Sequence, residues 1–108
     1  MILHGVQIFV ALEAIDMRWS FDRLAGIAEE QVGYDARSGA LFVCFGKRKT
    51  ALNVLFADAT GMVIFYKRLH KSTFRLPETT TKDTRHVEIE PFELDALLDG
   101  IELKREVH

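Results

Sequence analysis

The hydrophobic pattern changes period along the chain, and each change marks an element. Residues 6–15 (VQIFVALEAI) are apolar and β-prone, which predicts a strand. Met17, Phe21, Leu24 and Ala28 then recur at spacings of four, three and four, which sets them on one face of a helix. Asp16 is placed to cap that helix and Gly33 to stop it, so the expected span is roughly 17–32. Residues 34–39 (YDARSG) read as a turn-rich connection.

Three strand-like runs follow: residues 40–45 (ALFVCF), 51–57 (ALNVLFA) and 62–69 (MVIFYKRL). The spacers between them, 46–49 (GKRK) and 58–61 (DATG), are short and contain glycine. β-Branched and aromatic content with such spacers predicts an antiparallel meander. The runs are apolar at both odd and even positions, whereas a meander with one wet face would alternate. Helices are therefore expected on one face. Further chain, or a second copy in a homo-oligomer, is expected over much of the other.

Residues 77–85 (PETTTKDTR) are polar and predict a mobile loop. Residues 86–89 (HVEI) alternate and suit a short strand. Pro91 fits the first position of a helix, Leu94, Leu97, Leu98 and Ile101 share a face, and Gly100 stops it. The order β-α-β-β-β-β-α predicts an α+β fold: an antiparallel β-meander of about four to five strands, an N-terminal helix and a short C-terminal helix. At 108 residues the chain suits a single domain, 1–108, ending in a short tail over 102–108.

Charge changes the picture because of where it falls. The net charge is −2, yet between Ala40 and Leu76 the basic residues are Lys47, Arg48, Lys49, Lys67, Arg68, Lys71 and Arg75, and the one acid is Asp58. An acidic frame thus carries a basic middle, which points to an anionic partner. The meander makes this sharper. Its first strand ends in the loop that starts the second, and the third strand, antiparallel to the second, finishes at that same end. Lys47, Arg48 and Lys49 should therefore meet Lys67, Arg68, Lys71 and Arg75 at one sheet edge. Such an array suits a phosphate backbone, on which each cation displaces a condensed counterion. Tyr66 and Phe74 could add stacking planes for unpaired bases. The alternative is a solvated sheet rim, since charges at strand ends also discourage edge-to-edge pairing.

Other chemistry finds little support. His4, His70, His86 and His108 are scattered without metal-ligand spacing, and no cysteine pair exists. Cys44 lies between Val43 and Phe45 and reads as a buried, inert thiol. His70 falls within the basic stretch. Asp22, Glu29 and Glu30 suit the wet face of the first helix, and no phosphate-cradling glycine loop is present. No metal or cofactor is expected, and no catalytic residues. The longest uninterrupted apolar run, residues 40–45, is far below the roughly twenty residues of a membrane span. The first residues carry neither a basic stretch nor a small-residue cleavage site of the secretory kind, and the lone cysteine suits a reducing cytoplasm.

Several of these runs resemble a bacterial family. They are residues 16–26 (DMRWSFDRLAG), 38–45 (SGALFVCF), 55–69 (LFADATGMVIFYKRL), 74–77 (FRLP) and 89–101 (IEPFELDALLDGI). In that order they are similar to the TnpB, or Orf2-like, accessory protein of IS66-type insertion sequences, over roughly residues 5–103. The resemblance implies a non-catalytic, element-encoded helper of DNA transposition, acting beside a separate transposase. It carries over no catalytic residue. Where members often have tryptophan, in the second and third meander strands and before the proline, this chain has Phe56, Ala57, Ile64, Phe65 and Leu76. Basic middle and resemblance together predict DNA and the transposase as partners, with Lys47, Arg48, Lys49, Tyr66, Lys67, Arg68, Lys71 and Arg75 on the nucleic-acid surface. The rival is an adaptor that docks the transposase, or a second copy, through the apolar sheet without touching DNA; a third, distant alternative is an enzyme using His70 or Asp16.

Overall fold

The computed structural model describes residues 5–78 and 84–101. Its elements are β1 (Ile8–Ala11), α1 (Phe21–Val32), β2 (Leu41–Phe45), β3 (Ala51–Ala57), β4 (Met62–Arg68), β5 (His86–Ile89) and α2 (Pro91–Leu98). The α+β class and both helices are as the sequence predicts. The five strands form one sheet in the order β4-β3-β2-β1-β5.

The meander itself is antiparallel: β2 pairs with β3, and β3 with β4. β1 differs, because it runs parallel to β2 and antiparallel to β5. The sheet is therefore mixed, and the purely antiparallel expectation is corrected. A parallel neighbour requires a crossover of a dozen or more residues, and the stretch holding α1 supplies it.

Helix α1 starts later than expected. Ser20, not Asp16, is its N-cap, and its hydroxyl accepts from the amide of Arg23. Asp16 instead closes a local turn by accepting from the amide and guanidinium of Arg18. Met17 therefore precedes the helix it was expected to join. The regular part of the first strand is also shorter, although Ile15 still bridges to Gly46. Gly33 ends α1 as expected, at φ 84° in the left-handed region where glycine carries no Cβ penalty.

Both sheet faces are covered, which explains the doubly apolar strands. On one face Phe9, Ala11, Phe42, Cys44 and Leu55 pack with Leu24, Ala28 and Val32 of α1. On the other, Ile8, Val10, Val43, Phe45, Leu52 and Val54 pack with Phe74 and with Leu94 and Leu97 of α2. Leu94 and Leu97 are fully buried, each contributing about 1.5–3 kcal/mol by leaving water. The expected partner subunit is thus not required over that face; the chain's own segment around Phe74 and α2 lie there. Ile101, expected on the buried side of α2, lies beyond the helix and is exposed.

The expected loop at 77–85 is described only at its flanks. Pro77 is buried, and Arg85 pairs with Glu13 and Glu30. Residues 79–83 and the tail 102–108 lie outside the described residues.

Candidate nucleic-acid interface

The basic end of the sheet is built by the β2–β3 turn. The amide of Gly46 donates to the carbonyl of Ala51 and the amide of Lys49 to that of Gly46, so residues 46–51 close tightly. Lys49 takes φ 57°, a left-handed conformation rare outside glycine. Lys47, Arg48 and Lys49 are all exposed.

Strand β4 returns to this turn. Leu52 is registered with Lys67 and Ala51 with Arg68. Beyond the strand the chain stays attached: the amide of Leu69 donates to the carbonyl of Thr50 at 3.0 Å, and that of Phe74 to the carbonyl of Lys49 at 2.7 Å. Phe74 is 1% exposed and anchors the segment in the core, with its ring 6.0 Å from that of Phe45. Lys71 and Arg75 lie on either side of it in sequence and are exposed. The two basic segments therefore meet at one end of the sheet.

They do not share one face. Lys67 lies opposite Leu52, on the side that α2 covers. Its ammonium approaches the carboxylate of Asp99 at 3.8 Å. The end of α2 is held there by close packing, since a Cβ added at Gly100 would come 3.2 Å from Leu69 Cδ1. Arg68 and Tyr66 point to the α1 side, in register with Ala51 and Asn53. Tyr66 is 50% exposed on the edge strand, whereas the burial of Phe74 removes it as a stacking plane. His70 is exposed within the same stretch.

Cys44 is buried, and desolvation pushes its thiol up to about 12, far from a reactive thiolate. Asp16 is held down to about 2, chiefly by the hydrogen bonds from the Arg18 side chain and amide. Asp22, Glu29 and Glu30 are exposed on α1. Among the described residues no three His, Cys, Asp or Glu side chains come together in a way that could hold a metal ion. Among the same residues no helix is long and apolar enough to cross a membrane.

One feature of this end has no counterpart in the sequence pattern. The segment 15–19 runs beside the base of the basic turn, pinned by the amide of Ile15 donating to the carbonyl of Phe45 at 2.9 Å. Met17 packs over Gly46, where a Cβ would stand 2.9 Å from Met17 Cγ. Next to this contact is a cleft of about 570 Å³ lined by Ala14, Ile15, Asp16, Met17, Arg18, Trp19 and Lys47. The guanidinium of Arg23 lies over the Trp19 ring, 4.7 Å from its centroid. The available signal was the glycine opening the basic loop, which read only as a turn residue.

A family model described as IS66 Orf2-like protein matches residues 6–108, almost the whole chain. The chain belongs to the IS66 Orf2-like family. The resemblance carried by residues 16–26, 38–45, 55–69, 74–77 and 89–101 is thereby confirmed, and it places this chain among insertion-sequence accessory proteins. Curated relatives include the uncharacterized protein y4hO of Sinorhizobium fredii (strain NBRC 101917 / NGR234), 32% identical over 99 residues, covering 92% of this chain and 84% of that protein. The uncharacterized protein y4jC of the same strain is 28% identical over 102 residues, covering 94% and 85%. No solved structure matches the chain. For this IS66 Orf2-like chain the fold and the basic end are therefore read from its own residues.

Proposed function

We propose that this chain is a non-catalytic accessory protein of insertion-sequence transposition that binds DNA directly through the basic end of its sheet. It assists a separate transposase in the cytoplasm. The observation that carries the reading is the hydrogen-bonded meeting of residues 49–50 with 69–74, which gathers Lys47, Arg48, Lys49, Arg68, Lys71 and Arg75 around one end of an otherwise acidic chain. A cluster of this kind attracts phosphates by counterion release and gives affinity without sequence reading. Mobility shifts with element-end DNA and with random DNA of equal length, with and without transposase, test it. Binding to both without transposase is the expected result, tightened on element ends when transposase is present. No shift near 50 mM salt without transposase would remove direct DNA contact.

A second reading rests on the β4 edge. β4 ends the sheet, and Met62, Val63, Ile64 and Phe65 along it are only half-buried. An edge strand offers unpaired backbone groups to another strand, so a protein-only adaptor would dock the transposase or a second copy there. A transposase complex that survives neutralisation of the basic end but is lost on Ile64→Pro, with no DNA shift by the unmodified chain, would favour it.

A further inference from the structure

We propose that the cleft between residues 14–19 and Lys47 receives an unpaired nucleobase, so that the protein prefers single-stranded or splayed DNA to intact duplex. The proposal deepens the DNA-binding reading above and rests on it.

Lys47 belongs both to the basic turn and to the cleft wall. A strand whose phosphates follow the basic end would therefore bring a base to the cleft without leaving the cations. The cleft is open to solvent and, at about 570 Å³, wide enough to admit a planar base against its wall. Ile15, Met17 and Trp19 give it apolar and aromatic walls, and both Met17 and Trp19 are backed by the α1-side core. Gly46 has a specific part here, because any side chain at that position would collide with Met17 and displace the wall.

Asp16 would repel a nucleotide if its charge stood alone, but Arg18 pairs with it at 2.9 Å. The cleft's remaining charge is that of Lys47; the Arg23 guanidinium covers one face of Trp19, so an entering base meets the part of the indole that Arg23 leaves free. Aromatic walls next to cations are the combination that binds unpaired bases with little sequence preference. Duplex DNA keeps its bases stacked and would reach only the cations.

Trp19 is the chain's sole tryptophan, so tryptophan fluorescence reports on one ring of the cleft wall. The test titrates the full chain at fixed salt with an oligothymidylate, an abasic oligomer of the same length, and a duplex with as many phosphates. Saturable quenching by the oligothymidylate is expected, with affinity about tenfold or more above that of the abasic oligomer, the scale of one base–aromatic stack. Trp19→Phe should retain most of that advantage and Trp19→Ala should lose it, measured by anisotropy of a labelled oligomer. The abasic comparison uses the unmodified chain and stands even if Trp19→Ala fails to fold. Equal affinity for all three oligomers with unchanged fluorescence would overturn the cleft proposal and leave the basic end intact. Absence of binding to any of them would remove the DNA-binding reading and the cleft proposal together. Quenching by transposase that the oligothymidylate cannot compete away would assign the cleft to a protein ligand and also overturn it.

Discussion

The amide of Phe74 donates to the main-chain carbonyl of Lys49 at 2.7 Å. This contact joins a core residue to the tip of the basic turn, so the placement of the cations depends on packing beneath them.

Truncating the anchor should therefore damage stability and surface together. Phe74→Ala is expected to cost about 3–5 kcal/mol, as large-to-small changes at buried phenylalanines do. Phe74→Leu should cost less and keep the segment 69–75 in place. Urea denaturation measures the first effect, and DNA affinity of the folded fraction the second. Loss of under about 1 kcal/mol for the alanine variant would contradict the packing described for this ring.

Lys49 separates charge from backbone. Its φ of 57° is tolerated by glycine and strained in β-branched residues. Lys49→Gly should melt at or above the parent temperature, while Lys49→Val should lose on the order of 1–2 kcal/mol relative to glycine. Both remove the same charge, so both should reduce DNA binding alike. A valine variant as stable as the glycine variant would show that the turn relaxes.

Salt dependence should reveal which cations touch phosphate. With about four to seven contacts, log affinity should fall against log salt with a slope of roughly −4 to −6. Neutralising Lys47, Arg48 and Lys49 together should flatten the slope by about three. Arg68→Gln should flatten it by about one and Lys67→Gln by less, because Lys67 lies on the α2 side near Asp99. Arg37 precedes β2, at the far end of that strand from the basic turn, and serves as the control. If Arg37→Gln weakens binding as much as Arg68→Gln, the attraction is diffuse.

Cys44 should resist modification in the folded protein. Its thiol is pushed up to about 12 by burial, while an unfolded cysteine titrates at about 8.5. The native state thus holds the proton more tightly. The resulting stability is fully present below about pH 8.5 and is lost as pH rises from there toward 12. Labelling with a thiol reagent at pH 8 should be slow natively and fast in denaturant. Rapid native labelling would mean that the strand pair β2–β3 opens readily.

Much of the fold was legible because it follows from local rules. The runs of β-formers with short glycine spacers specified the meander, and with it the meeting of residues 47–49 with 67–75. Gly33 and Pro91 marked a helix end and a helix start through the backbone angles they favour. The start of α1 was less legible, because Asp16 and Ser20 are both good caps and the face through Met17, Phe21, Leu24 and Ala28 suited either. Asp16 lost that role to a local bond with Arg18, which spacing alone does not reveal.

By itself the sequence determined the element types, the family and the gathering of basic residues at one end, since these depend on neighbours in the chain and on strand direction in a meander. Tertiary structure decided the parallel placement of β1, because two apolar strands separated by a helix can pair in either sense until the helix is packed. It decided that Phe74 is core and Tyr66 is surface, because burial depends on what lies across the sheet. It also separated Lys67 from Arg68 and brought Trp19 beside Lys47. Side chains adjacent along a strand point to opposite faces, and those distant in sequence meet only where backbones pack closely, as Met17 does over Gly46.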